Sequence, residues 1–312
     1  MKRRVVIALG GNALQKNGEA TAEAQKKVAE SVADTIVKLS RNYEIIIAHG
    51  NGPQVGNILI HEESAATDKA PAMPLETAVA MSQGQIGYWL SQAITNAFSK
   101  AHRRVKVSTV VTQVLVDRSD PAFKNPTKPI GTFYTEKEAK ALAREKGWTV
   151  KEDAGRGWRR VVPSPRPLDI IERKSILDLV KTGNIVIAVG GGGIPVVRTK
   201  IMKKLKGVDA VVDKDYAAAC LAELLAADIF VSVTAVPCVY INYGLPDARP
   251  IGHISSYELS RLIRYNYFAA GSMLPKVEAC VTFARRGGTG IITDIKNLPA
   301  ALAGRSGTIV TK

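Results

Sequence analysis

A chain of 312 residues, 46% hydrophobic and 23% charged, can bury a large core as one big α/β domain or two lobes. Its formal charge of +15 is spread along the chain with no long basic block and few aromatics beside it, which argues against nucleic acid and suits small acidic ligands. No stretch approaches the roughly 18 uninterrupted apolar residues of a membrane span, and three isolated cysteines (Cys220, Cys238, Cys280) show neither metal-ligand spacing nor a disulfide framework, so a reducing cytoplasm is expected.

Lys2-Arg3-Arg4 followed by an apolar run imitates a secretory leader, but the run breaks at Gly10-Gly11-Asn12 and reads as the first element of the fold. Val5 to Leu9 form a short continuous apolar run, the pattern of a strand buried on both faces. Glycine lacks a Cβ, so Gly10 and Gly11 can turn sharply and present backbone N–H groups to a ligand. Residues 19–40 predict an amphipathic helix with Val28, Val32, Ile36 and Leu39 on one face. A second buried strand, Tyr43 to Ala48, runs into His49-Gly50-Asn51-Gly52-Pro53. Residues 75–99 predict a helix whose Gly84 and Gly87 suggest close approach of another element or a subunit. Residues 105–116 read as one strand.

From Asp117 to about Pro167 the chain turns proline-rich and basic, with a short helix signal at 136–146 and strand candidates near 148–151 and 158–162. This segment is expected to stand out from the main sheet as a lid over an anionic substrate. Leu168 to Lys181 predicts a helix, and the third buried strand, Ile185 to Val189, ends in Gly190 to Gly193. A strand-like pair ends near Val212; then come a helix at 215–226, a buried strand at 229–236, a capping box at Ser255–Glu258, and closing strands at 290–294 and 307–311. Three glycine-ended strands place three sets of donors along the carboxyl edge of a parallel sheet, where open α/β sheets bind ligands.

No GxxxxGK[ST] is present, and Gly50 to Gly56 misses the dinucleotide spacing by one residue. The four histidines form no metal pattern, although His49 opens a glycine turn. Lysines held by turns remain: Lys128 between two prolines, Lys214 between Asp213 and Asp215 with Asp209 before it, and Lys276 after Gly271 to Pro275. A single such lysine is most often a solvated surface charge. Together with glycine loops, and without a nucleophile or histidine dyad, they suggest phosphoryl transfer, which needs alignment and positive charge more than covalent chemistry.

The blocks VIALGGNAL, HGNGPQVG, MSQGQIGY, DPAFKNPTKPIG, GRGWRRVVPSPRP, AVGGGGIPV, GVDAVVDKD and GSMLPKVEA make the whole chain resemble the carbamate kinases of the amino-acid kinase superfamily. The resemblance implies one domain over residues 1–312: a three-layer α/β/α sandwich with a mainly parallel central sheet and a protruding subdomain. Within it, 1–205 would form a substrate lobe with a lid at about 118–167, and 206–312 a nucleotide lobe. It also implies a cytoplasmic homodimer running the reversible, Mg2+-dependent reaction of ATP and carbamate to ADP and carbamoyl phosphate, in arginine catabolism or in biosynthesis. By the same resemblance Gly10, Gly11 and Asn12 hold the transferring phosphoryl group, Gly50, Asn51 and Gly52 cradle carbamate, and Lys128 stabilises the transferred charge. Lys214 neutralises the β–γ bridge, Asp209 orients the lysines, Lys276 binds nucleotide phosphates, and Val236, Tyr243 and Met273 lodge adenine. Magnesium would be held chiefly by phosphate oxygens, with no dedicated protein metal site.

There are two departures from the wider superfamily. Ala8 and Leu9 stand where kinases of acylated amino acids often carry a lysine, and Ala235 stands where many relatives have Asp. The alternatives are a kinase of the same fold acting on another small acid or phosphate, and, more remotely, a nucleotide-sensing or nucleic-acid-binding regulator.

Overall fold

The five side chains from Val5 to Leu9 are inaccessible to solvent, and they lie in the middle of an eight-stranded sheet. The computed structural model describes residues 2–10, 21–153, 155–199, 201–269 and 271–312. The chain begins β1 (Arg3–Leu9), α1 (Ala22–Leu39), β2 (Tyr43–His49), α2 (Gly52–Ala65), α3 (Leu75–Lys100), β3 (Lys106–Thr109) and β4 (Gln113–Val116). A protruding segment contains β5 (Lys128–Tyr134), α4 (Glu136–Lys146), β6 (Thr149–Glu152) and β7 (Trp158–Val162). The chain returns through β8 (Pro167–Ile170), α5 (Arg173–Lys181), β9 (Asn184–Ile187), β10 (Ile194–Arg198) and β11 (Leu205–Gly207). Then follow α6 (Lys214–Leu224), β12 (Ile229–Val233), β13 (Val239–Ile241), β14 (Arg249–Ile251) and β15 (His253–Ser255). Last come α7 (Ser256–Arg264), α8 (Met273–Arg285), β16 (Thr289–Thr293), α9 (Leu298–Leu302) and β17 (Thr308–Thr311).

The main sheet has the order β15-β17-β16-β12-β1-β2-β9-β3. It is parallel from β16 through β3, and β17 turns antiparallel to β16 at the other edge. Strand periodicity sorts the core into two halves. Val5, Ile7, Leu9, Ile45 and Ile47 face α1, α3 and α9, whereas Val6, Ala8, Ile46 and Ala48 face α5, α6 and α8. Burying each large aliphatic side chain contributes about 1.5–3 kcal/mol, so a sheet apolar on both faces requires both helical layers. This is the expected α/β/α sandwich with a mainly parallel sheet. No helix among the described residues is long and apolar enough to cross a membrane.

Two expectations change. The run 105–116 is two strands in different sheets, because the Gln83 side chain of α3 grips Thr112 from both sides: its Oε1 accepts from Thr112 N (2.8 Å) and its Nε2 donates to Thr112 O (3.1 Å). The stretch from Leu168 to Lys181 is helical only from Arg173, since Pro167–Ile170 pairs antiparallel with β4.

β5, β7 and β6 form a small antiparallel sheet that stands out with α4, as expected for the protruding segment. It meets the body at a seam with α2, where Val55, Leu59, Ile130 and Val162 share a small core. Here two backbones touch: a Cβ on Gly56 would lie 2.2 Å from Gly131 Cα, and Gly131 has φ +73°. Only a residue without a side chain fits. Gly56→Ala should therefore cost about 1–3 kcal/mol in chemical denaturation, the range for overpacking, and a change below experimental error would refute this contact.

Candidate active site

The glycine turns after β1, β2 and β9 lie side by side at the carboxyl edge of the sheet, as the sequence suggested. They open into a cleft of about 700 Å³, a size suited to a small-molecule ligand. Gly10, Gly50, Asn51, Gly52 and Gly191 line its floor. The turn after β9 is tightly packed. A Cβ at Gly191 would meet the Asn51 amide at 2.2 Å, and one at Gly192, where φ is +89°, would meet Val212 O at 2.0 Å. Asn51, itself buried, donates from Nδ2 to Ser82 Oγ (2.8 Å), and Ser82 Oγ donates on to Val79 O. His49 is buried beneath the Gly190 turn and its Nδ1 lies 3.0 Å from Gly50 O; burial lowers its pKa to about 4, so it packs as a neutral ring.

Three helices aim their N-termini into the cleft: Gly52 and Pro53 of α2, Lys214 and Asp215 of α6, and Gly271 and Ser272 just before α8. No side chain caps α2, which leaves first-turn N–H groups and the positive dipole end for an anion, whereas at α8 the Met273 and Leu274 N–H groups bond Ala269 O and Pro275 has none, so that helix offers its dipole alone.

The lysines are fixed by two carboxylates. Asp213 caps α6, its Oδ1 accepting from Asp215 N (2.9 Å), while its Oδ2 pairs with Lys128 Nζ at 2.5 Å. Asp215 is buried and takes three donors: Lys214 Nζ at 2.7 Å, Lys276 Nζ at 2.9 Å and Ser232 Oγ at 2.6 Å. Burial alone would raise the Asp215 pKa, but the two ammonium groups outweigh it and hold the carboxyl well below its ordinary range. Burial also drives the Lys214 ammonium down to about 8 against the pull of Asp215. Lys276 shifts the other way, because Asp215 overcomes the cost of burying it.

Lys128, Lys214 and Lys276 thus converge on one cleft, together with Gly10, Gly50, Asn51 and Gly52. Gly11 and Asn12 lie outside the described residues. Asp209 is exposed and its charge acts on Arg160; among the described residues no ion pair or hydrogen bond joins it to a lysine, and Asp213 and Asp215 hold the lysines instead. On the expected adenine side the wall is Thr234, Ala235, Gly271 and Ser272. Val236 and Met273 each sit one residue beyond that wall, and Tyr243 is 67% exposed against Tyr240. Sequence reasoning missed Asp213 and Asp215 as the lysines' anchors, and Ser232 as a brace for Asp215. The signal available was the alternation Asp213-Lys214-Asp215 at a helix start, where the first acid can cap and the second turns inward.

Among the described residues no group of three His, Cys, Asp or Glu converges as a metal cage. The donors that line the cleft are ammonium and backbone N–H groups, which suit phosphate oxygens, with Asp294 as a carboxylate that accepts from Asn297 rather than from a lysine.

Residues 3–294 match the profile of the amino acid kinase family. Over the full length of both chains the sequence is 48% identical to carbamate kinase 1 of Enterococcus faecium, and over 99% of both it is 49% identical to the carbamate kinase of Thermococcus kodakarensis. The structure of carbamate kinase from Giardia lamblia bound to AMP-PNP is similar with a TM-score of 0.91 and 45% identity, over 100% of this chain and 99% of that one.

The lowered Lys214 pKa has a measurable consequence. Below about pH 8 the empty cleft presents a charged Lys214, and above it the charge is lost. Metal-free ADP, whose phosphates are fully ionised throughout that range, should bind more weakly as pH rises through about 8, with proton uptake on binding near the midpoint. Asp215→Asn removes the charge that holds Lys214 protonated and should move the fall to lower pH. Calorimetry in buffers of different ionisation enthalpy reads both, and an affinity flat across the range would contradict the arrangement.

Proposed function

The chain belongs to the amino acid kinase family, and from that premise we propose that it works as a carbamate kinase, moving a phosphoryl group reversibly between ATP and carbamate to give ADP and carbamoyl phosphate. The observation that carries this reading is the convergence of Lys128, Lys214 and Lys276 on a cleft floored by the glycine turns. Carbamate is already an anion, so the acceptor needs no general base, and His49 beneath the cleft is buried and neutral. The reaction then needs in-line alignment and compensation of charge as the phosphoryl group moves.

In this reading the 1–205 portion holds carbamate at Gly50, Asn51 and Gly52, where the uncapped N-terminus of α2 and the Ser82-braced Asn51 amide meet a carboxylate-like end. Gly10, Gly11 and Asn12 receive the phosphoryl group. The 206–312 portion takes the nucleotide: Lys214 at the β–γ bridge, Lys276 on the phosphates, and Val236, Tyr243 and Met273 toward adenine. Lys128 reaches in from the lid at 118–167 and takes the place of the lysine that Ala8 and Leu9 do not provide; both of those residues are fully buried in the sheet. Asp213 and Asp215 keep the ammonium groups in place until phosphate oxygens compete for them.

Magnesium, when bound, supplies charge neutralisation on the phosphates. The donor set fits an ion carried chiefly by the nucleotide's own oxygens. The enzyme would be cytoplasmic and serve arginine catabolism in the ATP-forming direction or biosynthesis in the other. It would be a homodimer, and the face of α3 carrying exposed Met81 and Tyr88 is the surface we favour. Gly87 on that helix abuts Thr109, but a side chain added at Gly84 would meet only open space.

Carbamoyl phosphate and MgADP should yield ATP in a coupled assay, and folded protein that gives none would defeat the reading. Lys128→Ala should lower kcat by about 100-fold or more while the ADP dissociation constant moves little, because the lysine acts on charge that shifts in the transition state. Equal losses in both would remove its role. Gly84→Trp should convert a dimer to a monomer in sedimentation velocity; an unchanged dimer would place the interface elsewhere.

A further inference from the structure

The seam between α2 and the protruding segment carries an ion cluster outside the cleft. Glu63, near the C-terminal end of α2, pairs with Lys146 at the end of α4 and with Arg160 of β7, the second contact at 3.7 Å. Both cations also stand over the Trp148 ring, Arg160 at 4.8 Å and Lys146 at 5.1 Å from its centroid. Asp209 adds negative charge on the far side of Arg160. One carboxylate on the body therefore holds two separate elements of the lid.

Apolar packing at this seam is incomplete. A hollow of about 260 Å³ lies between Leu59, Ile130, Leu142 and Trp148, with Glu63 and Arg160 in its wall. The Gly56–Gly131 contact and the small core beside it fix how closely the two backbones approach, and the hollow leaves the outer end of the seam to the ion cluster. Glu63 lies eleven residues after Gly52, about 16 Å along the helix at 1.5 Å per residue, so it cannot touch a ligand at the cleft. Gly131, three residues after Lys128 on β5, is the pivot between them.

We infer that Glu63, through Lys146 and Arg160, is a positioning residue that sets the angle of the lid and thereby the place of Lys128 over the cleft. This rests on the role proposed for Lys128. Partly exposed ion pairs add little to global stability, yet a displacement of about 1 Å at a reacting group costs rate steeply. The cluster should therefore weigh far more in turnover than in melting.

Glu63→Gln should lower kcat for ATP formation from carbamoyl phosphate and MgADP by about tenfold, leave the KM for ADP within about twofold, and barely move the melting temperature. Glu63→Asp, which keeps the charge, should recover part of the rate. The decisive measurement is the cycle with Lys128, because residues acting through one another are not additive. In a Lys128→Ala background, or in slower but active Lys128→Arg if that background is too weak to assay, Glu63→Gln should cost much less than in the wild type. A full tenfold loss in that background, or a Glu63→Asp enzyme as slow as Glu63→Gln, overturns the inference and leaves Lys128 untouched. A Lys128→Ala enzyme with unchanged rate removes the role of Lys128 and this inference with it.

Discussion

A carboxylate buried among two ammonium groups and a hydroxyl is the constraint from which the rest of the cleft follows. Asp215 accepts from Lys214, Lys276 and Ser232, and these come from the start of α6, the first turns of α8 and the central strand β12. Lys214 and Lys276 compensate its charge together, and an arrangement that withdrew both would leave a buried carboxylate unpaired, a loss of about 3–5 kcal/mol. The helices therefore cannot shift on the sheet without breaking it. Two residues earlier Asp213 repeats the device, capping α6 with one oxygen and holding Lys128 with the other. A single short stretch of chain thus ties the sheet, two helices and the protruding segment to one point.

That point is also poised for exchange. Each lysine faces a carboxylate that a phosphate oxygen can replace as the ammonium's partner, so the ammonium groups are held in position in advance. The three helix N-termini supply the remaining positive potential without adding titratable groups. Much of the +15 charge lies elsewhere on the surface and plays no part in this geometry.

The central strands and the glycine edge were legible because continuous apolar runs ending in glycine leave few alternatives to a buried parallel strand. The lysines were legible because turns on either side fix them. What failed was local. Asp169 and Arg173 stand four apart, as on a helix face, and they do pair, yet the pairing spans a strand end and a helix start. Asp209, Asp213 and Asp215 have similar sequence surroundings, and only the start of α6 at Lys214 decides which of them turn toward the lysines. The Gly56–Gly131 contact joins residues far apart in sequence, and no spacing could have disclosed it.

The two ends of α2 do different work on one rigid rod. Its N-terminus meets the cleft beside Asn51, and its C-terminal half carries Glu63 against the lid, with Gly56 between them at the close approach. The first turn of α2 and the surface against which the protruding segment packs thus belong to one helix. Lys128 sits at the end of β5, on the far side of the same contact, and its partner Asp213 belongs to the helix that presents Lys214. Occupancy at the floor of the cleft and the placement of the lid lysine are thus joined along two routes, one through α2 and one through Asp213. Both routes end at Lys128, the group to which we assign the moving charge.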